Sequence, residues 1–138
     1  MPFLLSLVFL SACAPALVTH DRTAHHAKLP RGQGSVAVKF ERQKGHVLRV
    51  RIFNTSNALV FVDRDGLVLK SEGQVFQRKV GSSRSFWLLQ PGEERVVAAH
   101  FDLSELQPGK SAELAFENAI VVDGEPVAVD PVQFFVDA

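Results

Sequence analysis

The sequence predicts an all-β fold, an antiparallel β-sandwich of about eight or nine strands, with a small barrel as the alternative architecture. Three observations predict it. From Ser35 onward, short runs rich in Val, Leu, Ile and Phe recur roughly every 8–12 residues between turn residues. Several of these runs alternate apolar and polar side chains with period two, as a half-buried strand does. No stretch of helix length repeats its apolar residues with the period of about 3.6 that a helix requires.

The elements follow in chain order. Residues 1–12 hold an apolar run, Phe3 to Leu10, far short of the ~20 residues that a membrane-spanning helix needs. The small residues Ser11 and Ala12 follow, then Cys13. Residues 13–34 carry Pro15, Pro30, Gly32 and Gly34 without apolar periodicity, and read as a flexible linker. The domain is expected over 35–138. Its first hairpin aligns Val36, Val38 and Phe40 with Ile52, Val50 and Leu48 across a loop at Gln43-Lys44-Gly45. That register sets Lys39 opposite Arg49 on the outer face, with Arg51 two residues on.

Asn54-Thr55-Ser56-Asn57 turns the chain into Leu59 to Val62. Asp63-Arg64-Asp65-Gly66 then reads as a tight hairpin whose Asp65-Gly66 supplies positive φ, before Leu67 to Leu69. Gly73 precedes a strand at Val75 to Arg78, and Gly81-Ser82-Ser83 forms a loop before Phe86 to Leu89. Pro91-Gly92 turns into a long strand from Arg95 to Phe101. Ala112, Leu114 and Phe116 alternate next, Asp123-Gly124-Glu125-Pro126 joins two further runs, and Phe134 to Val136 closes the fold.

Two resemblances attach to these residues. Leu10-Ser11-Ala12-Cys13 resembles the lipobox of bacterial lipoproteins and matches it at all four positions, although no Lys or Arg precedes the apolar run. In that family a peptidase cuts before the cysteine, which is then acylated with fatty acids such as palmitate. The resemblance implies a signal peptide over 1–12 and a mature chain of 126 residues, lipidated and membrane-anchored at Cys13. Ala14 rather than Asp follows the cysteine. In a Gram-negative host this implies the periplasmic leaflet of the outer membrane. The second resemblance covers residues 35–137. The turn at Asn54-Thr55-Ser56, the Gly-containing hairpins and Leu89-Gln90-Pro91-Gly92-Glu93 before a long strand resemble bacterial telokin-like domains. These are immunoglobulin-like sandwiches, found in envelope lipoproteins with binding or unassigned roles.

Composition narrows the function. One cysteine in 138 residues excludes an internal disulfide framework and any zinc site of clustered thiolates. A formal net charge of zero argues against nucleic acid as a partner. The zero is a cancellation. Thirteen basic and four acidic residues between Arg22 and Arg84 give +9, while two basic and ten acidic residues from Glu93 onward give −8.

No catalytic motif is present, and no cofactor is expected. His20, Asp21, His25 and His26 sit close together, but on a flexible linker they lack the fixed geometry of a metal site. His46 and His100 read as half-exposed strand histidines, and Trp87 beside Phe86 reads as core. Lys39, Arg49 and Arg51 are the candidate patch for an anionic partner: an envelope protein face, a polysaccharide or lipid head groups. The alternative is neutralisation by acidic strands such as those bearing Glu113 and Glu117. The expected function is a non-catalytic binding or assembly module at the cell envelope. A small-ligand carrier or a hydrolase on a barrel is the alternative, and a cavity lined by Phe76, Phe86, Trp87 and Phe134 would favour the carrier.

Overall fold

The computed structural model describes residues 15–79 and 85–137. The lipobox, Cys13 and the loop at Gly81-Ser82-Ser83 lie outside the described residues. Among those described, short strands alone carry the fold: β1 (Ala16–Thr19), β2 (His25–Lys28), β3 (Ser35–Lys44), β4 (Val47–Asn54), β5 (Val60–Asp63), β6 (Leu67–Ser71) and β7 (Gln74–Gln77). They continue as β8 (Phe86–Leu89), β9 (Glu94–His100), β10 (Ser111–Phe116), β11 (Ile120–Val122), β12 (Glu125–Pro126) and β13 (Val132–Asp137). All pairings are antiparallel, so the expected all-β sandwich holds. The order is β2-β3-β4-β9 in one sheet, β1-β13-β10-β6-β7 in a second and β12-β11-β5-β8 in a third.

The second and third sheets share one bent ribbon. β6 pairs with β10 and β5 pairs with β11, in ladders that meet at a break. At the break, Asp63 N donates to Ala119 O (2.7 Å) and Glu117 N donates to Gly66 O (2.7 Å). Asn118 takes a φ of 60°, a left-handed conformation that Asn tolerates better than most residues. The expected hairpin at Asp63 to Gly66 is therefore corrected. Arg64 to Gly66 form a single 3-10 turn that passes the chain from one sheet to the next, and neither Asp65 nor Gly66 has positive φ. Glycine is needed for another reason. A Cβ on Gly66 would lie 2.5 Å from Glu117 O and 2.6 Å from Ala119 N.

One core joins all three sheets. Val36, Val38, Val50 and Ile52 from the first sheet pack with Leu69, Leu114 and Phe134 from the second and Val60, Val62 and Ile120 from the third. Phe40 meets Phe134 edge to face across the layers, with ring centroids 5.0 Å apart.

Residues expected as linker belong to this core too. β1 and β2 pair with β13 and β3, and Leu17, Ala27 and Leu29 are buried. The flexible-linker expectation for 13–34 is corrected from Ala16 onward. Two four-residue edge strands are too short to show a period, so composition alone misread them.

The first hairpin also differs in register. Val38 lies opposite Ile52 and Phe40 opposite Val50, because the loop is the two-residue Gly45-His46 with Gly45 at φ 60°. The slip of two residues keeps Val36, Val38 and Phe40 on their expected face. A bulge at Glu41 then sets Arg42 opposite Arg49, and Lys39 faces Arg51 rather than Arg49.

The ribbon crossing gives the first prediction. Gly66→Ala should destabilise the fold by about 1–3 kcal/mol, the usual cost of forcing atoms into a packed site. Urea denaturation measures it, and an unchanged midpoint would show that the two strands can separate freely.

Candidate functional site

The expected basic patch is only partly free. Arg51 donates from Nε to Glu41 Oε2 (3.1 Å) and from Nη2 to Glu41 Oε1 (2.9 Å), a two-pronged pair, and from Nη1 to Glu94 Oε1 (3.0 Å). The hydrogen bonds and charge of Glu41 hold its guanidinium well above the ordinary arginine range. Neutralisation thus reaches Arg51 from its own sheet. Glu117 instead pairs with Lys70 across the β6–β10 ribbon, and Glu113 adds its charge to that lysine. Among the described residues no carboxylate comes within ion-pair distance of Lys39, Arg42, Lys44 or Arg49.

The histidines are dispersed. His25 Nε2 meets Asp21 Oδ2 at 2.5 Å, and its Nδ1 lies 3.9 Å from Asp130 Oδ2. Burial raises the Asp21 pKa, but hydrogen bonds from Thr23 and His25 outweigh it and hold this carboxyl below the ordinary aspartate value. The arrangement fastens the chain between β1 and β2. Among the described residues no group of three His, Cys, Asp or Glu side chains is placed to hold a metal ion. His46 and His100 are exposed. His46 Nδ1 accepts from Leu103 N at 3.3 Å, a structural contact.

A different surface stands out. On the sheet β12-β11-β5-β8 the inner face, with Val60, Val62, Leu89, Ile120 and Val122, is buried in the core. The outer face is also apolar. Leu59 (51% exposed), Phe86 (49%) and Leu88 (55%) project from it. Phe61 stacks on Phe86 with centroids 5.1 Å apart and sits opposite Leu88 in the ladder, while Val121 and Pro126 follow across β11 and β12. An apolar sheet face left in water marks an interaction surface more often than chance.

β8 is the edge strand of this sheet, and its Phe-Trp-Leu-Leu carries none of the charges or prolines that usually guard an edge. Trp87 points inward from it, partly buried against the core. The Arg64 and Arg95 guanidiniums lie 5.2 and 5.5 Å from its ring centroid, and Arg64 Nη1 donates to Ala98 O of β9 (2.9 Å). These contacts tie the Trp87 side chain to β9, and β8 pairs with β5 alone.

Asn54 sets the position of β8. It is fully buried and donates from Nδ2 to Ala58 O (2.8 Å) and Leu89 O (2.9 Å), while its Oδ1 accepts from Ser56 N (3.0 Å). Every polar atom of that amide is used, as burial demands.

The four aromatic residues expected around a carrier's cavity do not share a wall. Phe86 faces outward, Trp87 inward, and Phe76 and Phe134 are buried in the second sheet. Trp87, expected as core, is partly buried against it, while its neighbour Phe86 lies on the surface. A signal for this outer face was present in the sequence. Leu59 to Val62, Phe86 to Leu89 and Ile120 to Val122 are unbroken apolar runs on three neighbouring strands, the pattern of strands covered on both sides. No family model, curated protein or solved structure matches the chain.

Two predictions follow from these placements. Phe86→Ser with Leu88→Thr should change stability by no more than about 0.5 kcal/mol and raise solubility, because both side chains are surface groups. A loss above about 2 kcal/mol in a denaturation series would place them in the core instead. The Asp21 carboxyl has a folded pKa below its unfolded value of 3.8. Its stabilisation is therefore present above pH 3.8 and lost as pH falls through the depressed folded value. Asp21→Asn should cost about 1 kcal/mol at neutral pH and much less near pH 2, read from urea midpoints at the two pH values.

Proposed function

We propose that the chain is a lipid-anchored cell-envelope protein, a non-catalytic binding or assembly module of immunoglobulin-like type that takes an extended apolar segment of an envelope polypeptide onto β8. Leu10-Ser11-Ala12-Cys13 supports the anchor, and the antiparallel sandwich supports the module. The outer face of Leu59, Phe61, Phe86 and Leu88 carries the binding reading.

The size of that face favours a single added strand. β8 has four residues and runs ~13 Å. A stable interface between whole domains buries about 800 Å² on each partner, more than so short an edge and its few projecting side chains provide. Strand addition uses what is present here: an unguarded edge for backbone hydrogen bonds and alternate apolar side chains for selectivity. Asp63 lies opposite Phe86 on the same face, so a basic residue beside that position on the added strand is favoured.

Mass spectrometry of the protein from its native envelope tests the anchor. The expected product begins at Cys13 and carries acyl chains, and an unmodified Cys13 overturns that reading. A photo-crosslinking side chain at position 88 tests the face. It should capture one discrete polypeptide that the equally exposed position 75 does not, and Phe86→Lys should abolish the capture. Equal capture at both positions would remove the face from the function.

A further inference from the structure

The strands found at 16–28 change what an anchor at Cys13 can do. Only Ala14 and Pro15 separate that cysteine from the first residue of β1. Three residue steps extend ~10 Å at most. The domain cannot stand off from a bilayer that holds Cys13, and the end of the sandwich at Ala16 must lie against it.

The hydrogen bonds say which residues share that end. Ala16 pairs with Asp137, the last residue of β13. Beside it, Val136 N donates to Lys110 O (2.8 Å) and Gly109 N donates to Val136 O (2.9 Å). The loop that ends at Lys110 begins at Phe101, whose N donates to His46 O (3.0 Å). Leu103 N on the same loop donates to His46 Nδ1. The start of β1 and the Gly45-His46 tip of the first hairpin are therefore at one end. β5, β8 and β11 lie beyond the ribbon crossing, toward the other.

The half of the first hairpin nearer that tip is basic. Arg42, Lys44 and Arg49 lie there with Lys39 midway along β3, and among the described residues none has a carboxylate within ion-pair distance. Arg22 joins them, lining one hollow with Lys39 and Thr19 at the far end of β1. Glu41, which lines the same hollow, is held by Arg51 and Glu72 by Lys110, while Glu105 and Asp102 accept hydrogen bonds from Gln74 and Ser104. Arg42 and Arg49 face each other directly across the ladder, a like-charge pair that an added anion would relieve.

We infer that Lys39, Arg42, Lys44 and Arg49 dock on the anionic phospholipid head groups of the membrane that carries the anchor. This rests on the lipid anchor proposed above. The short connection holds the cations close to the surface, where a screening length of ~8 Å at physiological salt leaves the attraction effective. Docking at this end turns the apolar face of β5, β8 and β11 away from the membrane, where a polypeptide partner can reach it.

Lysine labelling tests the docking. The chain from Cys13 onward is coupled through that thiol to maleimide-headgroup lipid in two kinds of vesicle. One contains phosphatidylglycerol with phosphatidylethanolamine, the other phosphatidylcholine alone. Lys39 and Lys44 should react with an amine reagent at least about threefold more slowly on the anionic vesicles, and high salt should abolish the difference. Lys28, paired with Ser35 at the other end of β3, should react equally on both.

Arg42→Glu with Arg49→Glu should erase the protection. Arg42→Gln with Arg49→Gln, checked by its melting curve, serves if the double reversal fails to fold. Equal labelling of Lys44 on the two vesicles overturns the docking. So does protection that persists in high salt, or protection that appears only when a soluble anionic polysaccharide is added. The chemical tether supplies the anchor in every arm. An unacylated Cys13 in the native envelope would thus sink the anchor alone, and unprotected lysines would sink the docking alone.

Discussion

The crossing at Gly66 is the contact on which the rest of the molecule depends. There two backbone segments approach so closely that no side chain fits between them. This lets one ribbon, β5–β6 against β11–β10, bend and serve two sheets. Bent, it buries Val62 and Ile120 against the common core and still presents Phe61 and Val121 outward.

Asn54 fixes the other side of the same sheet. Its amide joins the end of the first hairpin to Leu89 O on β8, and to Ser56 and Ala58 in the turn that leads into β5. A buried amide costs free energy unless all its hydrogen-bonding groups are used, and here they are. The β8 edge is thus located by a directional polar contact, while Arg64 and Arg95 hold the inward Trp87 ring toward β9. Position and surface chemistry are separate: polar contacts place the strand, and its outward side chains remain available.

The charge split in the sequence has a spatial counterpart that is finer than two halves. The bulge at Glu41 brings that carboxylate to Arg51, so one expected patch cation is held by a residue ten positions away in its own hairpin. Among the described residues Lys39 and Arg49 have no carboxylate at ion-pair distance, and Arg42 joins them because the bulge turns it to the outer face. Acidic residues expected to neutralise this patch work on the opposite layer, where Glu117 holds Lys70. Among the described residues, cations with no carboxylate at ion-pair distance gather on the outer face of the first hairpin, and the apolar outer face of β5, β8 and β11 lies beyond the ribbon crossing.

Period-two alternation, turn residues and the absence of helical periodicity determined the all-β class, the inner face of every long strand and most of the turns, because these are local properties. The same locality limited what could be read. Strands of four residues such as β1 and β2 carry no period, so residues that pair with β13 and β3 looked like linker. Asp65-Gly66 has the composition of a hairpin turn, and only the passing strand at Glu117 to Ala119 shows that glycine is there for space. The unbroken apolar runs at 59–62, 86–89 and 120–122 announced two-sided burial, yet not that the three strands are neighbours. Only the tertiary structure decided that. Adjacency, register and which strand ends lie together depend on contacts between residues far apart in the chain, and no local pattern encodes them.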